Sequence, residues 1–219
     1  VKISELLVAS NNAGKIREIK YALVGIFDKT CSLKEANIHV SPEESGKTYF
    51  ENALIKAKTA AEFWDGWIIS DDSGLEVDAL KGGPGIFSSR FAGKNATDEK
   101  NNDKLLKLLR NVSGNDRTAC FRCVVVLYRG KNGQTLTAEG NCEGIISSKP
   151  KGTHGFGYDP LFFIPPLNRT MAELSFEEKM KVSHRARALA ALREKVVEYF
   201  KKVEGGRKKT GAKCGKRLR

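Results

Sequence analysis

The chain has 219 residues, 40% of them hydrophobic and 29% charged, with a formal net charge of +12. These values fit a soluble globular protein, either one sizeable α/β domain or a two-lobed one. No apolar run approaches the roughly 20 residues of a membrane-spanning helix, and the polar start Val1-Lys2-Ile3-Ser4-Glu5 does not read as a secretory leader.

Leu6-Leu7-Val8-Ala9 reads as a short buried strand, followed by the turn Ser10-Asn11-Asn12-Ala13-Gly14-Lys15. A helix comes next, with Ile16, Ile19 and Leu23 spaced along one buried face. A strand, a small polar turn with glycine, a lysine and a helix make a cradle for phosphate. Free backbone N–H groups and the helix dipole face the anion, and the lysine adds a point charge. The two-glycine spacing of a Walker A loop is absent, and the same pattern also describes an ordinary capped helix start. Ile38-His39-Val40 reads as a second strand. Thr48-Tyr49-Phe50-Glu51 then forms a capping box, opening a helix with Phe50, Ala53, Leu54, Ala57 and Ala61 as its apolar stripe. Glu43 and Glu44 precede this helix, and Lys56 and Lys58 lie off the centre of its stripe.

Trp67 to Ser70 is an apolar, β-branched run that meets Asp71-Asp72-Ser73-Gly74. That pattern predicts a strand feeding a tight turn at a sheet edge. Adjacent carboxylates repel unless a cation or a shared proton relieves them. A hard cation such as Mg²⁺, which bridges carboxylates to substrate phosphates, fits there, although a solvated Asp-Asp turn has the same composition. Leu75–Leu80 alternates as a strand leaving the turn, and residues 82–91 form a loop dense in Gly, Pro and Ser. Thr97-Asp98-Glu99 caps a helix carrying Leu105, Leu106, Leu108 and Leu109.

Thr118–Arg129 is a strand, joined through a turn near Lys131-Asn132-Gly133 to a second arm, Thr135–Gly140, continued at Ile145-Ile146-Ser147. Cys120-Phe121-Arg122-Cys123 has the spacing of half a zinc site. In an extended run, however, positions three apart face opposite sides, and no second such pair exists. The five cysteines, an odd and scattered set, read as free thiols in a reducing cytosol. Residues 152–163 interleave glycines with aromatics, so the backbone can approach a flat ligand while a ring stacks on it. After the charged stretch Ser175–Lys181, Ser183 is read as the N-cap of a final helix. His184 and Arg185 would then stand at its positive end. From residue 205 the pattern stops. Residues 201–219 hold nine basic side chains against one acid, Glu204, so +8 of the net charge sits there and +4 in the preceding 200 residues. This tail is a solubilising disordered end or a weak nucleic-acid contact. The expected organisation is a domain over 1–204 and a basic tail over 205–219.

Together these pieces describe a site for a phosphorylated, flat-ringed, metal-bound ligand such as a nucleoside triphosphate. Six motifs carry a resemblance: Ser-Asn-Asn-Ala-Gly-Lys (10–15), Phe-Glu-Asn-Ala (50–53), Ser-Asp-Asp-Ser-Gly-Leu (70–75), Gly-Gly-Pro-Gly-Ile-Phe-Ser-Ser-Arg (82–90), Gly-Phe-Gly-Tyr-Asp-Pro-Leu-Phe (155–162) and Ser-His-Arg (183–185). In order and spacing, over about residues 3–200, the chain resembles the inosine/xanthosine triphosphate pyrophosphatase family, the Ham1-like non-canonical purine NTP pyrophosphatases. The resemblance implies an α/β fold with a mixed, strongly twisted sheet, flanking helices and two lobes around a central cleft. It also implies Mg²⁺-dependent hydrolysis of dITP, ITP and XTP to monophosphate and pyrophosphate, by a cytoplasmic homodimer that makes no use of a membrane.

Carried over residue by residue, Ser10, Asn12 and Lys15 match the phosphate-binding turn, with Ser10 where the family often has Thr. Asp72 matches the proton acceptor, with Asp71 beside it, and Glu44 an acid that shares the metal with Asp72. Lys56 matches a lysine near the phosphates and Ser73 a substrate contact. Phe156, Gly157, Tyr158 and Asp159 match the base-binding loop, with Phe156 as the stacking ring. Lys179, His184 and Arg185 match the readers of the purine's oxygen edge, where Arg or a protonated His would donate to the 6-oxo group. A Maf-like pyrophosphatase of modified pyrimidine nucleotides and a nucleic-acid-binding module driven by the tail are the competing readings. The Ser-His-Arg and Gly-Phe-Gly-Tyr-Asp segments speak against the first.

Overall fold

A computed structural model of the chain describes residues 3–130 and 133–211. Its strands are β1 (Ile3–Val8), β2 (Phe27–Ser32), β3 (Trp67–Val77), β4 (Gly83–Pro84), β5 (Thr118–Arg129), β6 (Gln134–Ile146), β7 (Phe162–Ile164) and β8 (Arg169–Thr170). The helices are α1 (Ala13–Ala22), α2 (Tyr49–Ala61), α3 (Asp98–Leu108), α4 (Phe176–Val182) and α5 (His184–Gly211). All eight strands join one mixed sheet in the order β2-β1-β3-β5-β6-β7-β8, with β4 paired to β3. β1 runs parallel to β2 and β3, and the remaining pairs are antiparallel. Among the described residues no helix is long and apolar enough to cross a membrane.

β3 is the axis of the molecule. Its first part, Trp67 and Ile69, packs with Ile19 of α1, Leu23 just past its end, and Leu189, Leu192 and Val196 of α5. Ile68, on the other face, packs with Ala53, Ala57 and Ala60 of α2. Its far end, Leu75 and Val77, belongs to a separate core with Leu105, Leu109, Phe121 and Phe162. Ser70-Asp71-Asp72-Ser73 therefore lies where one strand passes from one apolar core to the next. β1 pairs with β3 only at Trp67–Ile69, and β4 only at Glu76–Val77. The β3 edge from Ser70 to Leu75 opens between them. A gap of this kind beside a parallel strand pair is where open α/β sheets bind ligands.

The structure revises several sequence expectations. Asp71 and Asp72 do not sit in a turn. They are paired in mid-strand with Val125 and Val124 of β5, whose long β-branched ladder holds the acids extended. Ile38-His39-Val40 is irregular; its backbone bonds are Ile38 N–H to the Leu33 carbonyl and the Val40 carbonyl to Asn11. The second strand is instead Phe27–Ser32, an edge strand whose exposed Asp28 and Lys29 disguise it in the sequence. Residues 83–90 are β4 and a 3₁₀ stretch rather than loop. α5 continues to Gly211, past the point where the pattern was read to stop; the rest of the tail and the turn residues Lys131 and Asn132 lie outside the described residues. Ser183 does cap α5, its Oγ accepting the Ala186 N–H at 3.2 Å. Thr48 caps α2 in the same way, but Glu51 reaches back to the Lys47 N–H, one residue beyond a capping box.

α5 sits directly on β6 through Gly140. A Cβ there would run into the His184 carbonyl oxygen and the Ala188 amide, both backbone atoms at the first turn of α5. Overpacking that cannot be relieved by a rotamer costs about 1–3 kcal/mol. Gly140→Ala is therefore expected to lower stability by about that amount in urea unfolding; an unchanged midpoint would show that α5 can shift off the sheet freely.

Candidate active site

Alternation along β3 decides the chemistry. Successive side chains of a strand point to opposite faces, so the adjacent carboxylates do not face each other. Asp71 points to the α1/α5 side. Its Oδ2 meets Lys15 Nζ at 3.0 Å and accepts from Arg185 Nε at 3.1 Å. Asp72 points to the α2 side, where Oδ1 meets Lys56 Nζ at 3.0 Å and Oδ2 accepts from Asn52 Nδ2 at 3.3 Å. Each acid has its own cation. Burial alone would raise both, but at Asp71 the charges of Lys15, Arg185 and Lys56 win and hold its carboxyl well below the usual range. At Asp72 burial prevails over Lys56 and Lys15, and the carboxyl is pushed up. Carboxylates driven apart in this way take different roles, and the raised one is the better proton acceptor.

Lys56 Nζ also lies 2.7 Å from Glu44 Oε1, so one ammonium stands between the Glu44 and Asp72 carboxylates. Of the two α2 lysines considered from sequence, this one reaches the cleft and Lys58 is exposed. Two hard oxygen donors converging on one positive charge fit a divalent cation such as Mg²⁺. That ion takes only one or two carboxylates and completes its shell with water and substrate phosphates. Among the described residues no group of three or more acid, His or Cys side chains forms a closed cage. The buried Oδ1 of Asp71 has no hydrogen-bond partner there either.

The turn after β1 lies beside this pair. Asn12 caps α1, its Oδ1 accepting the Lys15 N–H at 2.9 Å, and Ser10 Oγ accepts the Asn12 N–H at 3.2 Å. Ser10, Asn12, Lys15, Glu44 and Lys56 line one compartment. A second, adjoining compartment, with a cavity volume of about 130 Å³, shares Asn12, Lys15 and Glu44 with it. It extends to Ser73, Phe156 and His184. A polar, lysine-lined half next to a ring-lined half suits a small ligand with an anionic end and a flat end.

The ring-lined half is built by residues far apart in sequence. Phe156 packs against Gly14, where a Cβ would come within 2.5 Å of the ring. Lys179 Nζ stands 4.5 Å from the Phe156 ring centroid. Asp159 Oδ2 accepts the Phe156 N–H at 3.0 Å and the Lys179 ammonium at 2.6 Å. Tyr158 is buried and donates its hydroxyl to the Ser88 carbonyl at 2.8 Å. The Gly157 peptide is held on both sides by α3: its N–H donates to Asp98 Oδ2 at 2.7 Å and its C=O accepts from Asn102 Nδ2 at 2.9 Å.

His184 differs from the charged reader expected from sequence. It is buried, stacked on Phe121 with centroids 4.6 Å apart, and its Nδ1 has no partner among the described residues. Burial, with Arg185 and Lys179 nearby, pushes its pKa well below the usual imidazole value, so the ring is neutral and donates from one nitrogen only. Arg185 is also more engaged than expected. Only 1% exposed, it binds Glu18 Oε2 through Nη1 at 2.7 Å and Ser73 Oγ through Nη2 at 2.8 Å, besides Asp71.

Sequence reasoning missed Glu18 altogether and gave Asn52, Asp98 and Asn102 no role. Glu18 is 3% exposed on α1 and pairs with both Arg185 and Lys179, at 2.7 and 3.1 Å. The available signal was its place one turn after Lys15, on the same side of the helix as Ile19. Removing one partner of a buried ion pair costs about 3–5 kcal/mol; without Glu18, Arg185 and Lys179 keep Asp71 and Asp159 but one buried positive charge is left over. Glu18→Ala is expected to lose about that much in chemical denaturation; a loss near zero would mean that Arg185 and Lys179 reach water once released.

Comparison with known proteins gives a consistent picture. The model of the Ham1 family matches residues 6–195. A dITP/XTP pyrophosphatase of Desulforamulus reducens is 48% identical over 185 residues, covering 84% of this chain and 92% of that protein. One of Geobacter sulfurreducens is 48% identical, covering 88% and 96%. Among solved structures, a HAM1 protein from Coxiella burnetii superposes with a TM-score of 0.80 at 40% identity, covering 90% of this chain and all of that one. The Staphylococcus aureus Ham1 protein gives 0.78 at 41% identity, covering 89% and 99%.

Proposed function

The chain belongs to the Ham1 family, and from that premise we propose how its cleft works. It is a hydrolase of non-canonical purine nucleoside triphosphates, dITP, ITP and XTP, which it cleaves to the monophosphate and pyrophosphate, keeping them out of DNA and RNA. The observation that carries the assignment of this cleft is convergence. The turn after β1, Asp72 of β3, the Gly157 loop and the start of α5 line adjoining compartments.

In this reading Ser10, Asn12, Lys15 and Lys56 hold the triphosphate. Asp72 and Glu44 would hold Mg²⁺, which when bound neutralises phosphate charge and makes a nearby water more acidic. Asp72 takes the proton of the attacking water at a carboxylate oxygen. The water oxygen bonds to the α-phosphorus, the bond from that phosphorus to the α–β bridging oxygen breaks, and pyrophosphate leaves. Asp71 stays ionised and fixes Lys15 and Arg185, and Ser73 contacts the substrate.

Phe156 stacks on the base, with the Gly157, Tyr158 and Asp159 backbone as its frame. Lys179 has three N–H donors and two carboxylate partners, so one donor remains for the purine. Spare N–H groups of His184 and Arg185 complete an edge made of donors. A 6-oxo group satisfies that edge, whereas the 6-amino group of adenine leaves buried donors unpaired. Discrimination of this kind reaches about 10⁴-fold. The same reading takes residues 1–204 as the catalytic domain and the protein as a cytoplasmic homodimer. Its four described cysteines stand as free thiols, as a reducing compartment would keep them.

Product analysis with Mg²⁺ and ITP, XTP, GTP, ATP and dTTP in parallel tests the reading. Pyrophosphate and monophosphate are expected from ITP and XTP. Asp72→Asn is expected to slow turnover by about 10²–10⁴-fold, the usual share of a general base. Release of orthophosphate, or preference for dTTP, would overturn it. Deleting residues 205–219 is expected to leave ITP hydrolysis unchanged; loss of hydrolysis would make the tail part of the catalytic unit.

A further inference from the structure

Glu44 sits in an irregular segment with no helix or strand to hold it. The segment is tied at its flanks: Asn11 Nδ2 donates to the Val40 carbonyl at 3.2 Å, and the Gly46 N–H donates to Asn52 Oδ1 at 2.8 Å. Glu44 itself is gripped from across the cleft. Arg90, at the end of the 3₁₀ stretch Gly85–Arg90, donates from Nη1 to Glu44 Oε2 at 2.9 Å and from Nη2 to the Glu44 carbonyl oxygen at 3.2 Å. The guanidinium carbon stands 5.1 Å from the Phe87 ring centroid, which gives its flat face a partner.

We propose that Arg90 is a positioning residue for the cation-binding pair, orienting the Glu44 carboxylate so that its other oxygen faces the Lys56 ammonium that Asp72 shares. This rests on the reading of Glu44 and Asp72 as the pair that holds Mg²⁺. The two Glu44 oxygens have different partners: Arg90 takes Oε2, and Oε1 turns to Lys56 Nζ, which also touches Asp72. With Oε2 and the carbonyl both held by one planar fork, carboxylate rotation and segment drift are restrained together. A lysine ammonium is a compact charge on a flexible stem and lacks the rigid planar fork that fixes the two contacts relative to each other. Arg90 touches neither Asp72 nor Lys15 in the contacts described for it, so its influence on the reaction passes through Glu44. Groups that orient metal ligands set metal affinity by about 10–100-fold.

The test compares full-length wild type, Arg90→Lys, Arg90→Gln and Glu44→Gln. Mn²⁺ binding without nucleotide is read from the paramagnetic resonance of free Mn²⁺, and the Mg²⁺ concentration for half-maximal ITP hydrolysis is measured beside it. Both constants are expected to rise about 10–100-fold in Arg90→Gln and to stay raised in Arg90→Lys. kcat at saturating Mg²⁺ falls far less, and thermal unfolding shows both variants folded. Unmoved metal constants with a reduced kcat would overturn the proposal by placing Arg90 on the substrate; unmoved constants and kcat would make the pair a surface contact. If Glu44→Gln itself leaves Mn²⁺ binding unchanged, the premise that Glu44 holds the cation fails, and the inference fails with it.

Discussion

A guanidinium sealed from water must find its counter-charges inside the protein, and the organisation of this molecule follows from where Arg185 finds them. It opens α5, yet its partners are Asp71 and Ser73 on β3 and Glu18 on α1. Three elements are thereby locked at one point. Glu18 extends the lock to Lys179 of α4, and Lys179 extends it to Asp159 and the ring-bearing loop. The hydrophobic cores could tolerate small shifts of α1, α4 or α5. A chain of buried charges cannot, because a separation of an ångström leaves charge without compensation in a poorly polarisable interior. The same network fixes the donors that face the ligand before any ligand arrives, which is the form of preorganisation that electrostatic recognition requires.

The second constraint is the two-sidedness of β3. Two neighbouring carboxylates in a turn would share one environment and compete for one proton. In a strand they meet opposite faces of the sheet, with Lys15 and Arg185 on one side and Lys56 on the other. The backbone therefore separates an acid whose carboxyl is held low by its cations from one whose carboxyl burial pushes up. The Arg90–Glu44 bridge closes the far side of the same cleft and joins the segment before α2 to the stretch that follows β4.

Much of the fold was legible where local pattern and tertiary role agree. Val124-Val125-Val126 could hardly be anything but strand, and Thr97 and Ser183 announce helix starts that the structure bears out. The acids of β3 were legible as important but not as extended. Aspartate is a poor strand former, and only pairing with β5, remote in sequence, overrides that preference. Phe27–Ser32 was hidden for the opposite reason, because an edge strand can be charged. Of the candidate site, residues that recur in short dense motifs were readable, and the contacts between motifs were not. Glu18 lies 167 residues from Arg185, and a helix acid looks like a solvated one until its partner is seen. The protonation of His184 was misread because burial beside two cations is a property of the folded environment.

The placement of Asp71 and Asp72 at the middle of a strand shared by two cores also limits how this sequence can change. Adding or deleting one residue between Trp67 and Ser70 would slip the register and turn every later side chain to the opposite face. Asp72 would then point at Lys15 and Arg185, Asp71 at Lys56, and Leu75 away from its core. Such a chain would keep every catalytic residue type in the same order and lose the function of each. β3 thus admits substitutions but no change in count.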